Sequence, residues 1–178
     1  MKTADYYISK LEMTRHIEGG AYKENYRAPL ILPRSALTAA HQGERNASTA
    51  IYFLLQYGEF SAFHLLASDE VLHFYDGDPL HIYVIDSAGQ MTQQKLGRDL
   101  ENGEAFRCVV PGGNWFALRC EVENGFSLIG CTVAPGFDFA DFQLDDRVAL
   151  LEKFPQHRQL ITEMTFVRDM PSNTSADN

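Results

Sequence analysis

The chain has 178 residues, 45% of them hydrophobic, and carries a net charge of -9 with a pI near 5.0. Its length suits one domain, which we place at residues 1–170, and its acidic balance argues against nucleic acid or an anionic membrane as partner. A phosphorylated ligand would need a locally positive pocket, for which Arg27, Arg107 and Arg119 are the candidates.

Cysteine usage and the N-terminal residues indicate the compartment. Cys108, Cys120 and Cys131 lie in separate apolar runs without C-x-x-C spacing, which is typical of buried free thiols. The first residues, MKTADYYISKLEM, contain no unbroken apolar stretch, and nowhere do about 18 apolar residues run together. These features predict a cytoplasmic protein.

The chain begins with a helix and a strand. Residues 4–13 have a helical pattern, and HIEGGAYKENYRAP then brings paired glycines followed by the alternating aromatic and charged positions of a strand. The region 30–48 is rich in small and polar residues and holds Pro33 and Gly43. It is predicted to be a surface loop or a mobile flap.

From residue 49 onward, short apolar runs separated by turn formers predict an all-β protein. Asn102-Gly103 and Asn124-Gly125 are such separators, because this dipeptide supplies the positive φ angles that tight hairpins require. No helical segment long enough to cross between parallel strands intervenes. The strands should therefore form a meander that closes into a barrel-like jelly roll.

Helical patterns return near the C-terminus. Asp145 or Asp146 can cap the segment RVALLEKF, and Pro155 can begin a second helical turn. These helices should pack outside the barrel or against a partner. The polar tail PSNTSADN, residues 171–178, is predicted to be disordered.

The stretch GEFSAFHLLASDEVLHFYDG carries a regularly spaced set of residues: Gly58, His64, Leu66, Glu70 and Gly77. Alternation along FSAFHLL places His64 on the same face as Phe60, and in the next strand it places Glu70 and His73 on opposite faces. His64 can therefore meet Glu70 more readily than either meets His73, unless a bulge turns the strand.

A second spaced set follows in VVPGGNWFALRC: Pro111, Gly113, Phe116 and Cys120. The two sets resemble the two motifs of the cupins, in which four positions supply metal ligands. Leu66 and Phe116 stand at two of those positions and have no lone pair to offer. We therefore expect no cofactor, with weak metal binding through His64, Glu70 and either His73 or His81 left open.

The chain resembles the cupin family five group over residues 5–166. The resemblance rests on these two motifs and on four further segments: EGGAYKENYR, STAIYFLL, SDEVLHFYDGDPL and VAPGFDFADF. The resemblance implies an all-β double-stranded β-helix, that is a jelly-roll or cupin barrel, with short N- and C-terminal helices. It also implies a small-molecule pocket in the barrel mouth and a homodimer, and it names no substrate.

A fainter resemblance is to the metal-independent sugar-nucleotide 3,5-epimerases, whose N-terminal strand has a glycine, aromatic, acid, aromatic rhythm. Gly20, Tyr22, Glu24 and Tyr26 match it. In those enzymes a histidine on the strand equivalent to FSAFHLL is the catalytic base, so the resemblance implies this role for His64.

Each further candidate has a structural alternative. His64 and Glu70 can be a mutually satisfied buried pair, and His73 can be a packed strand histidine. His81 and Tyr83 share a strand face that either lines the cavity or lies outside it. A second set of residues has similar alternatives: Phe116 as a cavity wall, Tyr22 and Glu24 as dimer or sheet-edge residues, and Asp138 as a rim or turn residue. His16, His41 and His157 lack metal spacing and are predicted at the surface.

Three functions compete. In the first, a metal-independent isomerase or epimerase acts on a sugar-like or polyhydroxylated molecule, with His64 as base, Glu70 orienting it and Tyr83 returning a proton. In the second, the same barrel binds or senses a small ligand without catalysis, since apolar replacements make a drier pocket. In the third, a residual metalloenzyme survives on the remaining ligands.

The N-terminal segment also suggests how the chain assembles. Jelly-roll sheets have exposed edges that need cover, and exchange of this segment across a two-fold axis would supply it. We therefore predict a homodimer in which Tyr22 and Tyr26 are buried and each subunit helps to complete the other's pocket.

Overall fold

A computed structural model of the chain describes residues 2–167. The domain boundary predicted at residue 170 and the polar tail predicted over 171–178 lie outside the described residues. Within them, no helix is long and apolar enough to cross a membrane.

Two six-stranded sheets form the molecule. The first contains, in spatial order, β1 (Thr14–Arg15), β2 (Ala21–Arg27), β5 (Thr49–Gln56), β13 (Phe126–Ala134), β7 (Asp69–Gly77) and β11 (Arg107–Val110). The second contains β10 (Glu104–Ala105), β9 (Met91–Leu96), β8 (Leu80–Ile85), β12 (Trp115–Cys120), β6 (Phe60–Leu66) and β14 (Phe142–Gln143). Neighbouring strands are antiparallel except β9 and β10, and the two sheets confirm the predicted jelly-roll barrel. The predicted meander is wrong, because successive strands mostly alternate between the two sheets.

The two Asn-Gly pairs lie in connections between strands but close no hairpin, because β9 and β10 are parallel and β12 and β13 belong to different sheets. Asn124 has a φ of 59° and Gly103 a φ of 77°, so both Asn-Gly pairs supply the predicted positive φ angle. Gly77 also has a positive φ, and a Cβ there would lie 2.1 Å from the carbonyl oxygen of Phe126. Only glycine allows β7 and β13 to approach this closely at the turn.

Short helices flank the barrel. α1 (Ala4–Lys10) ends three residues before the predicted boundary, α2 (Arg147–Lys153) is capped by Asp146, and α3 (Arg158–Glu163) follows a 3₁₀ turn that begins at Pro155. The region 30–48, predicted as irregular, contains a small two-stranded sheet of β3 (Ile31–Leu32) and β4 (Arg45–Asn46).

Apolar side chains fill three layers. The largest cluster lies between the two sheets and includes Phe53, Leu72, Phe116 and Ile129. One smaller cluster packs α2 and α3 against the outer face of the second sheet. Another packs α1 against the first sheet. The helices therefore pack outside the barrel, and strands such as β8 are covered on both faces.

Candidate functional site

A cavity of about 250 Å³ opens between the two sheets. Its walls combine ionisable, aromatic and aliphatic side chains from both sheets and from the segment after β13: His16, Glu18, Tyr22, Glu24, Arg27, Thr49, Ile51, His64, Leu66, Glu70, Leu118, Cys131, Val133, Phe137, Asp138, Phe139 and Phe142. This mixture of an apolar wall with a few convergent polar groups is typical of small-molecule sites.

His64 reaches the cavity through an irregularity in β6. The pairing of β6 with β12 shifts register between Phe116 and Leu118, so Phe60 joins the outer cluster while His64 lines the cavity. Simple alternation had placed both residues on one face, and this bulge is the reason for the difference. The ring of Phe116 packs against the His64 ring with their centroids 4.0 Å apart.

Hydrogen bonding defines the proton positions on His64. Its Nδ1 lies 2.7 Å from the carbonyl oxygen of Ala62, and because a carbonyl only accepts, Nδ1 must carry a proton. In the neutral ring, Nε2 is then the basic nitrogen. Glu18 Oε2 lies 3.4 Å from Nε2, so His64 pairs with Glu18, and not with Glu70, once Nε2 has gained a proton.

Glu18 is the functional residue that sequence reasoning missed. Its carbonyl accepts a 2.7 Å hydrogen bond from the amide of Ala62, which fastens this turn to β6. Gly19 and Gly20 follow with positive φ, and a Cβ on Gly19 would lie 2.0 Å from the carbonyl oxygen of Phe60. An acid before paired glycines is the signal that marks such a close approach.

The two buried glutamates of the cavity have opposite protonation. Burial alone would raise the pKa of Glu18, but the charge that His64 carries when protonated and the nearby His16 imidazole hold that pKa below its usual value. Burial, and then the charge of Glu18, raise the pKa of Glu70 to about 8, although the Cys131 thiol opposes the shift. At neutral pH the deep part of the cavity therefore places one carboxylate, Glu18, beside one carboxylic acid, Glu70.

Five of the nine predicted site residues meet in this cavity. His64 and Glu70 lie deep in it, and Tyr22, Glu24 and Asp138 line it nearer the segment after β13. Phe116, a sixth, does not line the cavity but supports the His64 ring from beneath. The spacing of the two motifs and of the N-terminal strand led to these residues except Asp138, which was predicted at the rim from its position after the last strand.

Three predicted residues lie elsewhere. His73 contacts Thr132 on the outer face of the first sheet, and Tyr83 packs in the cluster beneath α2 and α3, where its hydroxyl donates a 2.6 Å hydrogen bond to Glu121. His81 Nδ1 is 3.0 Å from the same glutamate. Both faces of β8 are apolar, so alternation could not show which face points toward the cavity. Tyr83 lies on the other face and does not share a cavity with His64.

Two histidines predicted at the surface are buried. The His16 side chain is only 9% exposed, lines the cavity and meets the ring of Tyr22 edge-on, with centroids 4.7 Å apart. His41 is 3% exposed, and its Nε2 is 3.1 Å from the Ser68 hydroxyl. Absence of metal spacing is thus no guide to exposure, since hydrogen bonds and ring contacts also bury histidines.

The side chains do not fit a metal centre at the motif positions. Leu66 and Phe116 have no donor atom, which leaves His64 and Glu70 as the donors at the four motif positions. His73 and His81, the candidate additional ligands, lie outside the barrel. Among residues 2–167, no group of three His, Cys, Asp or Glu side chains is placed to hold a metal ion.

A jelly-roll barrel with a cavity between its sheets is the class that the fold and site define. Within that class, the family described as Cupin superfamily (DUF985) matches residues 5–145. The chain belongs to this family, as its two motifs predicted.

Similar proteins come from distant organisms. The protein YML079W of Saccharomyces cerevisiae is 33% identical over 144 residues, which span 75% of this chain and 71% of that protein. The crystal structure of protein SO0799 from Shewanella oneidensis is 39% identical and superposes with a TM-score of 0.86, covering 94% of this chain and all of that one. A hypothetical protein from Leishmania major is 32% identical with a TM-score of 0.85, covering 93% and 99%.

Proposed function

We propose that the cavity is the active site of a metal-independent isomerase that acts on a sugar-like or other polyhydroxylated carbonyl compound. The observation that carries this proposal is the opposite protonation of Glu18 and Glu70 beside His64. Groups whose environments push their pKa values apart in one enclosed site are suited to donate and accept protons in turn.

His64 is the proposed base. Its Nε2 removes the proton from the carbon next to the substrate carbonyl, and the electron pair of the C–H bond moves into an enolate. The Glu18 carboxylate, 3.4 Å away, stabilises the imidazolium that results. Glu70, which sequence reasoning treated as the partner of His64, instead supplies the proton that the enolate oxygen accepts.

His64 returns its proton to the former carbonyl carbon, and the hydroxyl on the carbon that was deprotonated gives its proton to the Glu70 carboxylate as that carbon becomes the new carbonyl. The product is an isomer, and both groups recover their starting states. An epimer would require a proton from the opposite face, which was the role predicted for Tyr83. Because Tyr83 lies beneath the C-terminal helices, the site favours isomerisation over epimerisation.

Solvent-deuterium incorporation tests the proposal. Neutral, amino and phosphorylated aldoses and ketoses would be incubated with the protein in D₂O and followed by NMR. The His64→Gln variant should lose at least about a hundredfold in exchange rate. His73→Gln, a histidine of the same barrel outside the cavity, should retain the wild-type rate. Equal exchange by wild type and His64→Gln would remove His64 as the base.

A second function is favoured by the aromatic wall of the cavity. Phe137 and Phe142, with Leu66 and Leu118, provide an apolar lining suited to binding by shape. A non-catalytic binding protein would be stabilised in thermal-shift screens by a metabolite that is recovered unchanged after long incubation. Turnover of that metabolite would end this alternative.

We also propose that the chain is a cytoplasmic homodimer that binds neither nucleic acid nor membrane. Its three buried free thiols suit a reducing compartment. β2 pairs with β5 of the same chain, which places Tyr22 in its own cavity and leaves Tyr26 53% exposed. We therefore place a dimer contact at Tyr26, while exchange of the N-terminal segment across the two-fold axis stays a prediction.

Light scattering at micromolar concentration tests this assembly. Tyr26→Ser should weaken the dimer, because it removes an exposed aromatic side chain from the proposed contact. Tyr57→Ser, at the other end of β5 and 52% exposed, is the matched control and should leave the mass unchanged. A monomeric wild type would contradict the proposal.

A further inference from the structure

Charge in the cavity is dominated by carboxylates. Glu18 lies deep, and Glu24 and Asp138 line the cavity with Arg27, whose guanidinium is the one permanent cation among the lining residues. Hydrogen bonds to Glu24, and after them the charges of Glu24 and Asp138, raise the pKa of Arg27 above its usual value. Because Glu24 is paired with Arg27, Glu18 and Asp138 are the carboxylates without an arginine partner that an entering anion would meet.

Arg27 is not free to receive a ligand anion. Its Nε and Nη2 donate to the two carboxylate oxygens of Glu24 at 2.9 and 2.7 Å. Its Nη1 donates to the side chain of Asn46 at 2.9 Å and to the carbonyl of Phe137 at 3.4 Å. A phosphate or carboxylate would have to displace Glu24, so the cation that a phosphorylated ligand needs is already committed.

Aromatic rings form the wall beside these carboxylates. The centroids of Phe137, Phe139 and Phe142 lie 5.0 to 6.0 Å apart, with interplanar angles of 68° to 79°. The rings of His16 and Tyr22 continue the wall. Ring faces set at steep angles beside carboxylates are the surroundings in which proteins bind organic ammonium groups.

We infer that the ligand of this cavity is a small organic cation, with its ammonium group between the carboxylates of Glu24 and Asp138 and the phenylalanine wall. The inference deepens the proposed function, because the placement of the other end of the ligand, deep in the cavity, rests on that function. There the carbonyl of the ligand faces His64 and Glu70, which makes the substrate class an amino-substituted polyhydroxylated carbonyl compound.

Three compounds of one shape and different charge test the ligand class: benzylamine, benzyl alcohol and benzoate. NMR titration at pH 7 should show benzylamine binding at least about fivefold more tightly than benzyl alcohol. Benzoate should bind most weakly, because its charge repels the carboxylates. Tighter binding of benzoate than of benzylamine, or no binding of benzylamine, would overturn the inference.

Variants locate the cation. Asp138→Asn should remove most of the preference for benzylamine over benzyl alcohol, whereas Asp99→Asn, an exposed acid outside the cavity, should retain it. A preference unchanged in Asp138→Asn would overturn the placement. These titrations need no turnover, so they test the ligand class separately from the reaction. If deuterium exchange fails but the benzylamine preference is retained, only the isomerase is rejected. If exchange occurs but benzylamine is not preferred, only the ligand class is rejected.

Discussion

A Glu70→Gln variant should be about as stable as the wild type at pH 5 and more stable by about 4 kcal/mol at pH 8. In the folded protein the pKa of Glu70 is raised to about 8 from its ordinary value of 4.5. Below pH 4.5 the folded and unfolded chains both hold the proton. Above it the unfolded chain releases the proton first, so wild-type stability falls as the pH rises from 4.5 to 8.

Urea unfolding at pH 5, 6, 7 and 8 measures this effect as the difference between variant and wild type, which cancels the other titrating groups. Glutamine cannot ionise, so its curve lacks the loss due to Glu70. Glu101→Gln, at an exposed site, should follow the wild type at every pH. If the Glu70→Gln and wild-type curves remain parallel from pH 5 to 8, Glu70 is not the buried acid that the proposed mechanism requires.

Replacing Arg45 by methionine should destabilise the protein by about 3 kcal/mol. Its Nε and Nη2 donate to the two carboxylate oxygens of Asp141 at 2.6 and 2.5 Å, and both side chains are about 5% exposed. The Gln42 amide donates a further 2.8 Å hydrogen bond to the same carboxylate. Without Arg45, the Asp141 carboxylate is a buried charge with no cation beside it. Because the pair lies close to the surface, the expected loss of stability is at the lower end of the range for broken buried pairs.

This pair joins the region 30–48 to the 3₁₀ turn Phe139–Asp141, which carries one ring of the cavity wall. Faster amide hydrogen exchange over residues 137–142 should therefore accompany the loss of stability. Arg98→Met, which breaks an exposed pair with Asp76, should cost less than about 1 kcal/mol. The double variant Arg45→Met with Asp141→Leu should recover most of the stability. If the single variant Arg45→Met lost no more stability than Arg98→Met, the assignment of Arg45 and Asp141 as a buried pair would be contradicted.

The sequence determined the barrel and much of the cavity. Alternating apolar runs and Asn-Gly turns predict the strands, because residues on a pleated strand point to opposite faces and only certain residues adopt positive φ. Motif spacing led to His64 and Glu70, and the glycine and aromatic rhythm of the N-terminal strand led to Tyr22 and Glu24. These patterns are local, so they can be read without knowing which strands become neighbours.

Tertiary structure alone decided the chemistry of the site. Glu18 meets His64 because a hydrogen bond across 44 residues fastens its turn to Ala62, and the His64 ring faces inward through a bulge that alternation does not encode. Tyr83 lies outside because helices cover the second sheet, which makes both faces of β8 equally apolar. Periodicity shows which side chains share a face, but only long-range packing determines which face encloses the cavity and which acid becomes charged there.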